Sequence, residues 1–339
     1  MTAPWQAHFL RQAEACDGLG SPFTAALLRT LAHDMPPGAV AARIAAWPVE
    51  TLSPDALALR LAGGLHALVL QGRDAALAAC YPPHQGALSE VLPGTLATHE
   101  AHLLHWLDSA PQTNEIRRSA ALILAAGLLA ERFPDQPLQL SELGASAGLN
   151  LQFDRYGMEV AGQRFGAAAP LLTLTPDWQG ELPPRAAYRV AEARGVDLNP
   201  LDPGSPADML RLRSYTWADQ PDRMARLDAA LAGEIPAVDR GDAAAWLEDR
   251  LAAPARGRVH LVYHTIAWQY FPAETKARCE AALARAGALA TPEAPLARLS
   301  FEADASERPG AALRLTTWPG GETQELGRVD FHGRWLHRA

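Results

Sequence analysis

Glu142-Leu-Gly144-Ala145-Ser146-Ala-Gly148-Leu-Asn150 follows Leu138, Leu140 and Leu143, which open a short strand, and it runs into a segment, 145–156, with helical spacing. Small residues between a strand and a helix let the backbone approach a ligand closely. The N-terminus of such a helix offers free N–H groups and a positive dipole end. Those groups suit a carboxylate or a phosphate. The spacing is E-x-G-x-x-x-G, not the G-x-G-x-x-G of many dinucleotide-binding turns. The competing reading is a tight turn with no ligand. Candidate ligand contacts here are Glu142, Gly144, Ala145, Ser146, Gly148 and Asn150.

Downstream, strand and helix patterns alternate. Met158–Phe165 and Leu171–Thr175 read as strands of a small insertion at about 157–190, with Ala161-Gly162 as a hairpin turn. Gly195-Val-Asp197 ends a strand, 222–231 is helical, and Val259-His-Leu-Val-Tyr263 is a strand. A helix over 272–286 and strands at 296–302, 312–318 and 325–329 follow. Alternation of this kind predicts an α/β fold, a Rossmann-like, mostly parallel sheet with late antiparallel strands.

Upstream, no strand pattern interrupts residues 1–133. Helices are predicted at 4–15, 22–33, 54–71, 86–107 and 113–132. In the third, Leu57, Leu61, Leu65 and Leu68 make one apolar stripe. Phe133-Pro-Asp-Gln-Pro137 then breaks the helix. The expected division is an all-helical N-terminal domain, 1–133, before the α/β domain, 134–339.

The composition narrows the function classes. The formal net charge is −8 and the arginines are dispersed, so the clustered cations that carry most nucleic-acid affinity are lacking. Lys276 is the only lysine, and no G-x-x-x-x-G-K-[ST] phosphate loop is present. The three cysteines, Cys16, Cys80 and Cys279, form neither a disulfide framework nor a metal knuckle. No apolar run approaches the roughly 20 residues of a membrane span. With no signal peptide visible, the expectation is a cytoplasmic protein with a small-molecule partner, no nucleic acid and no membrane.

Other segments offer chemistry. Asp197, in Gly-Val-Asp-Leu-Asn-Pro200, can accept hydrogen bonds from ribose hydroxyls, or simply cap a turn. Asp242, in Gly-Asp-Ala, can bond an adenine amino group, or serve as a helix N-cap. Tyr263-His264-Thr-Ile-Ala-Trp268-Gln269-Tyr270 follows an apolar strand, where open sheets bind ligands. His264 is the candidate base, with Gln269 and Tyr270 beside it and Trp268 against a substrate; otherwise they pack the top of the sheet. Asn114 and Arg118, in Asn-Glu-Ile-Arg-Arg-Ser119, face a cleft as a carboxylate clamp or form an ordinary helix start, and Tyr156 is a further substrate contact. His99, His102 and His105 lack the H-E-x-x-H spacing, and a polar helix face outweighs a metal site; no metal is expected.

In order, these pieces resemble the class I S-adenosylmethionine-dependent methyltransferase fold. That resemblance implies methionine contacts on Gly144 and Gly148, ribose on Asp197 and adenine on Asp242. The amino-methylating Asp/Asn-Pro-Pro-Tyr motif is absent after the fourth strand. The whole chain is also similar to a bacterial family of unknown function, through Leu61-Ala-Gly-Gly-Leu-His66, Thr113–Ser119, Glu142–Leu151, Asp154-Arg-Tyr156, Arg194–Asp197, Trp268-Gln-Tyr270 and His332-Gly. Three functions follow as expectations. They are methyl transfer to a small molecule with S-adenosylmethionine as cofactor, ligand binding without catalysis, and nicotinamide-dependent oxidoreduction.

Overall fold

The computed structural model describes residues 2–339 and divides into two compact units. The first comprises the chain to Thr113 together with Gly204–Leu227, and the second comprises Asn114–Pro203 and Asp228–Ala339. The division differs from the one expected at residue 133. The apolar helix Ser119–Arg132 joins the second unit because it is buried along nearly its whole length beside that unit's sheet. The segment 204–227, which sequence gave no reason to separate, belongs with the helices.

The first unit contains α1 (Pro4–Gly18), α2 (Pro22–Asp34), α3 (Ala39–Ala45), α4 (Leu57–Leu70), α5 (Ala75–Ala78), α6 (Leu88–Thr98) and α7 (Glu100–Leu107). The helix expected over 86–107 is thus two helices, parted at His99, whose backbone leaves the helical region. Leu57, Leu61, Leu65 and Leu68 all enter the core. Gly63 and Gly64 serve contact rather than flexibility. A Cβ at Gly63 would lie 2.3 Å from the Tyr215 ring, and one at Gly64 would lie 3.0 Å from Trp106 Cβ. His66, four-fifths of a turn on, holds the Ser214 carbonyl through Nδ1 at 3.0 Å. The Gly-Gly-x-His phrase therefore docks the returning segment 204–227. His99 sits on Asp74 at 3.5 Å, while His102 Nε2 holds the Gly64 carbonyl at 3.0 Å.

The second unit begins with α8 (Ser119–Arg132) and β1 (Leu138–Leu143), followed by β2 (Gly157–Val160), β3 (Gln163–Gly166), β4 (Thr173–Leu174), β5 (Asp177–Gln179) and β6 (Val190–Asp197). After α9 (Pro206–Ser214) in the first unit and α10 (Pro221–Leu231), which straddles both, come β7 (Val238–Arg240), α11 (Ala243–Arg250) and β8 (Val259–Thr265). The chain ends with α12 (Ala273–Ala288), β9 (Leu296–Glu302), β10 (Ala311–Trp318), β11 (Glu322–Val329) and β12 (Trp335–Arg338).

The main sheet has the order β5-β12-β11-β10-β9-β8-β1-β6-β7. β7, β6, β1, β8 and β9 run parallel, and β10, β11 and β12 continue as an antiparallel meander. From β1 the chain moves outward to β6 and β7, then returns to β8 on β1's other side. That reversal is a topological switch point, where carboxyl-terminal loops part and open sheets bind ligands. Residues alternate between the two faces. Leu143, Val196, Val262 and Leu296 meet α11 and α12 in one apolar core, and their neighbours turn to the opposite face. No helix among the described residues is long and apolar enough to cross a membrane.

Candidate functional site

The turn after β1 departs from the expected helix start. Ser146 and Gly148 both adopt left-handed backbone, at φ 53° and 76°, which forbids a helix beginning at 145. A kinked 3-10 helix, Leu149–Arg155, takes its place, broken at Gln152. The expected free N–H groups have protein acceptors. Gly144 and Ala145 donate to the Val196 carbonyl at 2.9 and 3.1 Å, and Ser146 donates to Asp197 Oδ2 at 2.9 Å. Gly148 donates to the Ala145 carbonyl at 2.8 Å, and Leu149 donates to Asn114 Oδ1 at 2.8 Å. Ser146 Oγ, in contrast, is buried with no protein partner.

Asp197 therefore caps the turn with one carboxylate oxygen and takes the Asn199 N–H with the other, at 2.9 Å. It remains half-buried at the end of β6, next to Leu198, which is 63% exposed. Asp242 is the N-cap of α11. Its Oδ1 accepts from the Ala244 and Ala245 N–H groups at 3.0 and 3.1 Å, and its Oδ2 accepts from Thr275 Oγ1 at 3.1 Å. That carboxylate serves the helix start, the N-cap reading set beside the adenine contact.

On the face covered by α8, Glu142 is 1% exposed. Burial pushes its carboxyl well above the usual carboxylate range, against the opposing hydrogen bond from Tyr263. Tyr263 Oη lies 3.4 Å from Glu142 Oε2 and 3.2 Å from the Asn150 carbonyl. Asn150 and Tyr156, both expected as ligand contacts, bolt the 3-10 helix in place. Asn150 Oδ1 accepts from Ser119 Oγ at 2.7 Å, and Tyr156 Oη donates to the Leu149 carbonyl at 2.7 Å. Arg118, the residue expected to clamp a ligand carboxylate, donates to the Thr265 and Phe331 carbonyls, both at 3.0 Å, and so ties two chain segments at the carboxyl edge of the sheet.

A carboxyl whose proton is held more tightly in the folded than in the unfolded chain loses folding free energy as pH rises above its unfolded pKa, and continues to do so up to its folded pKa. Glu142→Gln keeps the acceptor for Tyr263 and removes the ionisation. It should raise the unfolding free energy at pH 7–8, with the gain vanishing near pH 4. Denaturant melts across that range measure it; a variant less stable at pH 8 would show that the carboxylate form is the one the fold needs.

On the face of α11 and α12, the end of β8 holds a second cluster. His264 is fully buried, with Nδ1 2.8 Å from Glu302 Oε1 and Nε2 3.1 Å from an Arg298 guanidinium nitrogen. A guanidinium only donates, so Nε2 accepts and Nδ1 carries the hydrogen. Burial holds the ring below the ordinary histidine pKa despite Glu302. Both nitrogens have partners within the protein, as the packing alternative to a substrate base at His264 has it. Glu302 Oε1 also accepts from the Ala267 and Trp268 N–H groups at 3.0 and 3.1 Å; burial pushes its carboxyl up, but His264 and these N–H groups together hold it below the usual range. Trp268 stacks on His264 at 4.7 Å, with Arg298 4.6 Å from the same ring and 2.6 Å from Glu280.

These bonds hold Ile266 at φ 51°, a strained value for a β-branched residue, at the carboxyl end of β8. The loop they fix meets the β1 turn. A Cβ on Gly144, itself at φ 74°, would fall 2.6 Å from Ala267 Cβ. Gln269 and Tyr270 project outward, Tyr270 being 69% exposed, and neither is brought to His264 by a hydrogen bond. Sequence reasoning passed over Glu302 and Arg298, which look like unremarkable positions on a strand; only the parallel pairing of β8 with β9 brings them to His264.

No curated protein and no solved structure matches the chain. The family model described as "Uncharacterized protein conserved in bacteria (DUF2332)" matches residues 6–338, and the chain belongs to that family.

Proposed function

We propose that the second unit has the sheet of a class I methyltransferase, ending in a meander of its own, and that it binds S-adenosylmethionine at the switch point and directs its methyl group to a small molecule. The carrying observation is the pairing of the glycine turn after β1 with Asp197 at the end of the adjacent strand β6. The residues fit an adenosyl group. Asp197 is a half-buried acceptor for ribose hydroxyls, exposed Leu198 beside it is an apolar face for a purine, and buried Ser146 Oγ offers an unused polar group at the turn. A pyrophosphate would need the backbone donors that Gly144, Ala145, Ser146, Gly148 and Leu149 already spend, which disfavours a dinucleotide.

When bound, the group supplies an electrophilic methyl on a sulfonium. The chain's own task is to align a nucleophile with it and exclude water, for which positioning outweighs charged catalysis. Gly144, left-handed and without a side chain, lets the loop at Ala267 close on the turn. The engaged nitrogens of His264 favour a second reading, a ligand-binding protein without turnover.

Calorimetric titration with S-adenosylmethionine and S-adenosylhomocysteine tests this. Saturable binding is expected, and Asp197→Ala should weaken it about tenfold, the effect of one charge-assisted hydrogen bond. Absence of binding by the wild-type chain at millimolar ligand would overturn the proposal. Binding without S-adenosylhomocysteine formation in the presence of a broad acceptor panel selects the second reading.

A further inference from the structure

Glu302 ends β9, one of the parallel strands whose carboxyl edge carries the switch-point loops, and is 7% exposed. Its two oxygens are unlike. Oε1 accepts from His264 Nδ1 and the Ala267 and Trp268 N–H groups, whereas Oε2 is buried with no partner. An ionised carboxylate oxygen buried without a donor is costly, and such atoms in folded proteins call for an explanation. Arg298 does not supply the missing donor: its guanidinium is divided among His264, Glu280 and the Trp268 face. Ala267, whose N–H meets Oε1, also brings its Cβ against Gly144 of the β1 turn.

We infer that Glu302 Oε2 is the binding group for an amine, taking the N–H of a small primary ammonium ligand at the carboxyl ends of β8 and β9. A cationic donor to a buried carboxylate makes the stronger, charge-assisted hydrogen bond, whereas a neutral hydroxyl makes a weaker one and an anion is repelled. Oε1, with its three donors, positions the loop, and Oε2 reads the ligand. The assignment stands apart from the proposed methyl transfer, because an ammonium nitrogen carries no lone pair for a methyl group.

Amide spectra of the full chain, titrated with methylammonium chloride, methanol or sodium acetate at matched ionic strength, test the assignment. Methylammonium should shift the Ala267 and Trp268 amides with saturation, methanol more weakly, and acetate not at all. In Glu302→Gln the amide carbonyl can replace Oε1 while an NH2 stands where Oε2 was, and methylammonium affinity should fall at least about tenfold. Methylammonium shifts absent from those two amides, unchanged in the folded variant, or matched by acetate would overturn the inference. If the variant does not fold, the three-probe comparison on the wild-type chain decides. Titration of S-adenosylmethionine in parallel separates the two proposals. Amine binding without S-adenosylmethionine binding defeats only the methyl-transfer reading, and the reverse defeats only this one.

Discussion

His264→Ala is expected to lower the free energy of unfolding by about 3–5 kcal/mol, the sum of a charge-assisted hydrogen bond and the cavity left by a buried ring. Two groups lose their partner at once. Glu302 Oε1 forfeits the Nδ1–H at 2.8 Å, and the Arg298 guanidinium forfeits its acceptor at 3.1 Å. Trp268 also loses the ring stacked 4.7 Å away. The consequence extends to the loop, because the same carboxylate oxygen holds the Ala267 and Trp268 N–H groups and so fixes Ile266 in its left-handed turn. Amide hydrogen exchange should therefore accelerate at residues 266–268 in the variant while the helices of the first unit keep their protection. Urea melts give the stability. A loss below about 1 kcal/mol, the size of an ordinary net hydrogen bond, would mean that His264 is not needed to hold the loop and would reopen its role as a base.

Gly144→Ala is expected to cost about 3 kcal/mol or more, against about 1 kcal/mol for Gly162→Ala, by adding overpacking to left-handed strain. The two glycines share a backbone conformation, φ 74° and 72°, so the strain on an added methyl is the same. Their surroundings differ. At Gly162, in the β2–β3 hairpin turn, nothing lies within 4 Å of the new Cβ, whereas at Gly144 the Cβ of Ala267 stands at 2.6 Å. The difference between the variants isolates the contact between the β1 turn and the β8 loop. Equal losses in paired thermal melts would show that this loop yields freely. Adenosylmethionine binding should disappear in Gly144→Ala and survive in Gly162→Ala if the proposed site is correct.

Much of the frame is local and therefore legible in sequence. The leucines of α4 recur at helical spacing and form the first unit's core, and the alternating leucines of β1 lead into a glycine turn that the structure contains. The order of strands and helices after residue 137 implied a mostly parallel sheet, and the late hairpin implied its antiparallel end. Short-range periodicity and turn chemistry suffice for such features because the residues that decide them are neighbours in the chain.

The partners of polar groups were not legible, because they lie far away along the chain. Asn114 caps a 3-10 helix 35 residues later, Asp197 caps a turn 51 residues earlier, and Glu302 holds a histidine 38 residues before it. Sequence alone determined which residues could accept, donate or bend, and where the sheet would present them. Only the tertiary structure decided that the free N–H groups expected after β1 are spent on Val196, Asp197 and Asn114, that His264 is locked between Glu302 and Arg298, and that Glu302 Oε2 is the oxygen left over. The physical reason is that a hydrogen bond is satisfied by whatever the fold brings within about 3 Å, a distance that sequence separation does not measure.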